Sequence, residues 1–535
     1  MSSLARGAFI TSILTLVSRI LGFARDLVVA SLLGATFFAD CYYVALRVPN
    51  LLRSFIAEGA LTSAFVPLFA DRLKISKERA QQTFANCLSF LLVLTLCLTA
   101  LGIIFAPLII EIIAPGFSQN QKIKNLAVLL LRVMMPFVIF IGLTALIAGA
   151  LNTLKIFGRA AAAQVYMNLV LIFGGLVAMF FSKETGVILL AFSVLIGGIA
   201  QVSSLVPTLR GENFKLVFNL KFWNEDTKEL LKLFTPALLG ATIYQLNQFI
   251  LTLLASLLET GTVSWIYYAD RVTQLPIGIF SIALATALLP TLSADRANNN
   301  RDDFERNLFN SLRYTSFVII PLSAVLMFFA LPITQALFER GSFSTLDSQR
   351  TAEMIIIISF GLWAASIHSI NARALMAEKK NMKLTQIGAL SLLVSALFAL
   401  LTIGPIFNNQ QLLIVQFINF TSSFLNLELG YFGLGISMVV GAFASATASS
   451  FYLYRKHPSR LWRSFLSSTL QALVSAILAV ALSFFMVSEI ENIYAKVTIG
   501  CALAIPAYLA IAKYLFASKE VSDISEIIKK RFSQS

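Results

Sequence analysis

The chain has 535 residues, 58% of them apolar and only 13% charged, with a mean hydropathy of +0.81. Soluble domains are about 45–50% apolar and about 25% charged, so a soluble globular protein is excluded. The net charge is +14, from 41 Lys+Arg against 27 Asp+Glu. A soluble chain with that balance would suggest nucleic acid. In a membrane chain the balance bears first on orientation, and no nucleic-acid partner is expected.

A spanning helix needs roughly 20 apolar residues. On that basis fourteen membrane helices are predicted, over 8–35, 37–70, 84–113, 126–151, 161–181, 186–206, 229–257, 263–291, 311–338, 351–376, 384–404, 430–454, 466–488 and 495–517. The first is not a cleavable signal peptide, because Arg19, Arg25 and Asp26 interrupt its apolar run and no small-residue cleavage site follows. The segment 207–228 sets Arg210, Lys215 and Lys221 between Phe214, Val217, Phe218, Phe222 and Trp223, and reads as an amphipathic linker on the inner leaflet. The outer loop 408–429 is rich in Leu, Ile and Phe and is expected to form a surface segment touching lipid.

With the N-terminus inside, 28 Lys/Arg fall in the inner loops and tails, six in the outer loops, and seven within spans. That bias predicts an even number of helices and both termini cytoplasmic. Cys41, Cys87, Cys97 and Cys501 lie in apolar stretches without paired short spacing and read as packing residues. His368 and His457 are the only histidines, and neither has the neighbours that a zinc site needs.

At an offset of 224 residues the chain resembles itself. Tyr43 meets Tyr267, Arg47-Val48 meets Arg271-Val272, and Ala70-Asp71-Arg72 meets Ala294-Asp295-Arg296. Ala150-Leu151 then meets Ala374-Leu375, and Lys155 meets Lys379. An all-α polytopic membrane protein with two parallel six-helix repeats follows. The expected layout is an N-lobe over 1–206, the linker 207–228, a C-lobe over 229–454, two further helices over 455–517 and a cytoplasmic tail over 518–535. In transporters built this way the site lies between the two lobes near mid-membrane.

The seven basic residues within spans are Arg19, Arg25, Arg47, Arg53, Arg132, Arg271 and Lys513. Lys513, Arg132 and Arg47 are expected to snorkel or to pair locally. Arg19, Arg25, Arg53 and Arg271 lie deeper, where an arginine costs about 2.5–3.5 kcal/mol to insert. Pro49 lies just before Asn50 and Arg53, so a bent, partly opened helix is expected there, with backbone groups facing a wet cavity. Asp26, Glu58 and Asp270 are acidic residues within the same spans. They either fasten the arginines structurally or act as gate partners. The deeper part of the cavity is net positive, and guanidinium forks suit phosphate or carboxylate, so the predicted ligand is an anion. No phosphate-binding loop, zinc-protease motif or prenyl-transfer acidic pair is present, so no catalytic residue, metal or cofactor is assigned and a transporter is expected rather than an enzyme. Gly430-Tyr-Phe-Gly433-Leu-Gly435 reads as close helix packing.

Several motifs resemble those of the MurJ/MviN lipid II flippases of the MOP superfamily. They are Ser18-Arg19-Ile20-Leu21-Gly22-Phe23-Ala24-Arg25-Asp26, Arg47-Val48-Pro49-Asn50-Leu51-Leu52-Arg53, Ala57-Glu58-Gly59-Ala60-Leu61 and Tyr268-Ala269-Asp270-Arg271-Val272. The resemblance implies movement of lipid II, the undecaprenyl-pyrophosphate-linked peptidoglycan precursor, across the bacterial inner membrane. It implies that Arg19, Arg25, Arg53 and Arg271 bind substrate and that helices thirteen and fourteen form a groove for the prenyl tail. The implied partners are lipid II and membrane lipids, with cell-wall synthesis proteins as candidates. Relatives carry an acidic residue in helix seven linked to sodium; the stretch 244–251 has none, which puts sodium coupling in doubt. The alternatives are an exporter of another anionic lipid-linked oligosaccharide and a non-transporting membrane scaffold for cell-wall enzymes.

Overall fold

A computed structural model describes residues 3–56, 60–219, 222–406, 410–423, 427–458, 461–518 and 520–522. Among them are twenty α-helices and no strand. The first ten are α1 (Ser3–Leu33), α2 (Phe37–Ile56), α3 (Ala60–Ile75), α4 (Lys77–Ile104), α5 (Ala106–Ile113), α6 (Gln121–Met134), α7 (Phe137–Thr153), α8 (Phe157–Ala178), α9 (Lys183–Gly211) and α10 (Glu225–Ser256). They are followed by α11 (Thr262–Pro276), α12 (Ile282–Ala297), α13 (Arg301–Phe328), α14 (Ala330–Phe338), α15 (Thr345–Ala377), α16 (Asn381–Thr402), α17 (Leu413–Ser422), α18 (Tyr431–Lys456), α19 (Leu461–Met486) and α20 (Ile493–Tyr514). Eleven stretches of the described residues are long and apolar enough to cross a membrane. The three remaining predicted spans, 8–35, 229–257 and 263–291, coincide with α1, α10 and the α11–α12 pair.

Helix bounds recur at the offset seen in the sequence. Adding 224 to the bounds of α4 gives those of α13, and adding it to α8 gives α16. The α6–α7 pair maps onto the single helix α15 in the same way. Fine detail repeats too. Phe105, between α4 and α5, has φ −89° and ψ 11°, and Phe329, between α13 and α14, has φ −101° and ψ 15°. Lys155 and Lys379 both adopt left-handed backbone, at φ 64° and 59°. A non-glycine residue is rarely placed there. The repeat loses this register after α16, where the chain inserts the short helix α17.

Contacts divide the chain into two compact units, Met1–Ser264 with Arg340–Phe343, and Trp265–Glu339 with Ser344–Ser535. In the first, α10 enters through Asp226, which is 2% exposed. Its carboxylate accepts from Arg79 at 2.7 and 2.8 Å, Arg72 at 3.3 Å, Thr83 at 3.1 Å and Asn86 at 3.0 Å. Burial alone would raise the pKa of Asp226, but the hydrogen bonds from Arg79, Asn86 and Thr83 and the Arg79 charge hold it below the ordinary carboxylate value.

The segment read as an amphipathic linker is not helical in its described residues between Gly211 and Glu225. It runs along α4 instead. Lys215 N–H donates to the Gln81 side chain at 2.8 Å and Asn219 N–H donates to Ser89 Oγ at 2.7 Å. Phe214 is buried against Phe69 and Phe84, while Leu216, Val217, Phe218 and Trp223 are exposed. The apolar 408–429 stretch contains α17, which buries Val415 and Ile418 and exposes Leu413, Phe417 and Phe420. That one-sided exposure suits a helix lying in an interface.

The core of the second unit gathers Leu308, Phe309 and Leu312 of α13, Ile370 and Ala374 of α15, and Trp462 and Phe465 of α19. Buried polar groups bridge its helices: Asn371 donates to Ser449 and Ser450 at 3.1 and 2.9 Å. Such bonds join helices where water cannot compete. Of the glycines that open α18, Gly433 and Gly435 are packing positions, whereas Gly430 has open space around it and a left-handed backbone, φ 53°. A Cβ on Gly433 would lie 2.9 Å from Thr402 O, and one on Gly435 would lie 2.9 Å from Met354 Cε.

Candidate functional site

In the first unit the arginines sit on α1 and α2. α1 is helical without interruption through Gly22. Arg19 is exposed on it. Arg25, six residues on, is only 19% exposed, and Asp26 is buried. Arg25 Nε and Nη2 both donate to Asp26 Oδ1, at 3.0 and 2.8 Å. Its third edge donates from Nη1 to Asn168 Oδ1 at 3.3 Å. Asn168, on α8 and 2% exposed, donates in turn to Ser18 O at 3.0 Å and Ser18 Oγ at 3.3 Å. The Nε/Nη2 edge held by Asp26 is the edge that forks a phosphate or carboxylate. An anion arriving there exchanges one charge-assisted partner for another.

The opening expected at Pro49 is absent, since α2 stays helical through Pro49 to Ile56. Proline removes one backbone donor, and the flanking turns keep the helix closed. Arg53 is half-buried near the end of α2. Glu58, the expected gate partner beyond it, lies outside the described residues. Arg47 donates from Nε to Thr252 Oγ1 on α10 at 3.1 Å, a local polar contact of the kind expected for it. Asp40 is 3% exposed and accepts from Gly261 N–H at 2.7 Å, Ser264 N–H at 3.0 Å and Ser264 Oγ at 2.6 Å.

In the second unit Arg271 is half-buried on α11, with Cζ 4.6 Å from the centre of the Tyr267 ring. A guanidinium over an aromatic face gains roughly 0.5–2 kcal/mol and remains a fork donor at its edges. Asp270, beside it, accepts from the Gln274 side chain one turn on. Regular helix ends at Pro276 and a π-type turn follows over Ile277–Ser281. Irregular helix of this kind recurs at functional sites. So the break anticipated in the first unit at Pro49 is found in the second at Pro276.

The structure thus pairs Arg25 with Asp26, gives Asp270 a Gln274 partner, and stacks Arg271 on Tyr267. Sequence reasoning missed Asn168, one of two amides with Gln164 in an apolar span, and Tyr267, which had been noted only as a repeat match. His368 Nδ1 lies 3.3 Å from Ser449 Oγ. Among the described residues no group of three or more His, Cys, Asp or Glu side chains could hold a metal ion.

Comparison with known proteins follows the same path. The family model described as lipid II flippase MurJ matches residues 29–498. A probable lipid II flippase MurJ from Buchnera aphidicola subsp. Acyrthosiphon pisum is 36% identical over 66% of this chain and 69% of its own length. The lipid II flippase MurJ of Burkholderia cenocepacia is 33% identical over 70% of this chain and 74% of its own. Among solved structures, a lipid II flippase MurJ in an inward closed conformation superposes with a TM-score of 0.77 at 24% identity, covering 95% of this chain and 99% of that one. An inward-facing MATE-family multidrug transporter of the MOP superfamily gives 0.67 at 16% identity, covering 85% and 99%. These two establish the fold. Together with the family match across most of its length, they show that this polytopic membrane protein belongs to the MurJ lipid II flippase family.

Proposed function

We propose that the protein moves lipid II from the inner to the outer leaflet of the bacterial inner membrane by alternating access. It is a transporter and not an enzyme. The observation that carries this reading is the family match over residues 29–498. The arginines supply its chemistry. Arg19, Arg25 and Arg53 of the first unit and Arg271 of the second bind the pyrophosphate and adjoining sugar, because planar forks match phosphate oxygens. Asp26, Glu58 and Asp270 hold arginines while substrate is absent. The Arg25–Asp26 pair supports that exchange.

The lobes are the two six-helix repeats, 1–206 and 229–454, joined by the 207–228 linker. The prenyl tail lies along the helices of 455–517, whose exposed Leu482, Phe485 and Ile505 suit an apolar chain. The positive-inside bias sets both termini in the cytoplasm. The same basic loops and the 518–535 tail are where cell-wall synthesis proteins would dock.

The test is flipping in vesicles that contain the purified protein and fluorescent lipid II, read by a leaflet-selective quencher. Inward-to-outward transfer is expected for lipid II and not for phosphatidylcholine. An undecaprenyl-linked oligosaccharide lacking the peptide, flipped equally well, would favour the broader exporter reading. Transfer of neither lipid-linked substrate would refute the proposal.

A further inference from the structure

The second unit contains a cavity of about 210 Å³ where the ends of α12, α13, α15 and α18 meet. Its polar lining includes Arg296, Arg301, Lys456 and His457, with Asp295 and Glu378. Neither carboxylate is idle. Glu378, 6% exposed, lies 2.7 Å from Lys456 Nζ and 2.9 Å from His457 Nε2, and Asp295 accepts from Asn307 at 2.7 Å. Glu305, just behind the lining, accepts from Arg301 Nε at 3.0 Å and lies 3.2 Å from His457 Nδ1. Glu378 and Glu305 are thus engaged by Lys456, Arg301 and His457, and among the described residues Arg296 has no carboxylate within ion-pair distance.

The internal repeat shows what such a corner accepts. Arg296 is the repeat counterpart of Arg72, 224 residues earlier. In the first unit the corner between α3 and α4 is filled from the chain itself. Arg72 pairs with Asp226 at 3.3 Å and Glu229 at 2.6 Å, both from the start of α10. In the second unit the segment that follows the repeat begins α19 with Leu461 and Trp462, which bring no carboxylate. Arg296 is instead exposed at the rim of an open cavity. Carboxylate partners for Arg72 in one repeat and none for Arg296 in the other point to an anion from outside the chain.

We infer that this corner of the second unit binds a phosphate group, with Arg296 and Arg301 as its donors. The single charge of a phosphodiester would pair with Arg296, the lining cation that has no carboxylate partner. The exposed Phe451 and Tyr454 of α18 and Leu466 of α19, beside the same helix ends, suit acyl chains. A phospholipid headgroup and free inorganic phosphate share the chemistry, and the experiment separates them.

The full-length protein in a neutral detergent is titrated with phosphatidylglycerol, or with inorganic phosphate at constant ionic strength, and its thermal unfolding is followed. Arg296→Ala removes an exposed side chain and should fold. Binding is expected to weaken roughly tenfold in that variant, the scale of one lost charge-assisted hydrogen bond. Arg455→Ala, one helix position from Lys456 but not part of the cavity lining, should bind as the unchanged protein does. Stabilisation by phosphatidylglycerol alone identifies a lipid headgroup site. Stabilisation by inorganic phosphate as well identifies a general phosphate site. No stabilisation by either, or an equal loss in Arg296→Ala and Arg455→Ala, would overturn the inference.

Discussion

Replacing Asp226 by Asn tests how α10 is held in the first unit. The substitution keeps the shape and removes the charge. The native carboxylate receives two bonds from Arg79 and one each from Arg72, Thr83 and Asn86. An amide can accept through only one oxygen, and its NH2 faces donors where an acceptor was. Removing one partner of a buried ion pair costs about 3–5 kcal/mol. The Arg72 and Arg79 side chains are 22% and 33% exposed, so water recovers part of that, and about 2–3 kcal/mol remains. At roughly 2–4 °C per kcal/mol for a unit of this size, the midpoint of thermal unfolding in detergent should fall by about 4–12 °C. The pH dependence has a definite sign. Because the folded pKa of Asp226 is depressed, its stabilisation is complete above the unfolded value near ~3.9 and is lost as pH falls through the folded value. The gap between native and variant should therefore be constant from neutral pH to mildly acidic pH and should close only in stronger acid. Unfolding is followed by tryptophan fluorescence, with proteolysis of the 212–224 segment as a local readout. An unchanged midpoint together with unchanged cleavage would refute the account.

Arg271→Ala should abolish support of growth in place of the native gene while membrane abundance stays near normal. Arg271→Lys should restore little, because a point charge lacks the fork; growth supported by the alanine variant would remove Arg271 from the site. Gly34→Ala should lower stability by about 2 kcal/mol or more, because Gly34 has φ +63° and a Cβ there would lie 2.3 Å from Ser342 O; a thermal scan equal to that of the native protein would contradict this. Outward transfer of a net negative headgroup is downhill by about 2.3 kcal/mol per charge per 100 mV when the interior is negative. Flipping in vesicles should therefore quicken under an imposed inside-negative potential and slow when it is reversed, and indifference to the potential would exclude this driving force.

Periodic features were legible in the sequence. Nine pairs of matching residues at one spacing announced a repeat that now extends to the first and last residues of α4 and α13 and of α8 and α16. Glycine spacing in 430–435 announced close packing, and at Gly433 and Gly435 a Cβ would come within 2.9 Å of Thr402 and Met354, while Gly430 serves a left-handed turn instead. What stayed hidden depends on long-range polar contacts. Phe214 and Trp223 in a basic stretch read alike as an amphipathic linker, whereas Gln81, Asn86 and Ser89 of α4 hydrogen-bond to Lys215 and Asn219, and Phe214 is buried while Trp223 is exposed. Proline marks a place where a helix can open without deciding that it does. At Pro49 the surrounding turns held, and after Pro276 the helix widened to a π-type turn. The candidate arginines were found by their depth. Asp26 was found with them, but Asn168 was not, because it lies 143 residues from Arg25 and carries no charge to draw attention.

The repeat and the packing disagree about α10, and the disagreement bears on mechanism. By the 224-residue offset α10 corresponds to α1 and opens the second repeat. By contact it belongs to the first unit, together with the chain as far as Ser264. Three separate polar devices hold it there. Asp226 anchors its first turn to α3 and α4, Thr252 accepts from Arg47 of α2, and Asp40 of α2 binds Gly261 and Ser264 just beyond its end. Hydrophobic packing alone could slide, whereas a buried carboxylate with five donors has one good position. A helix that counts with one repeat but is clasped to the other must either move with its host or release those contacts in sequence. Arg47 donates to a neutral hydroxyl, a bond worth about 0.5–1.5 kcal/mol net, while each charged bond to Asp226 or Asp40 is worth about 1.5–3 kcal/mol. The two carboxylates fix both ends of α10, so any bending during transport should fall between them.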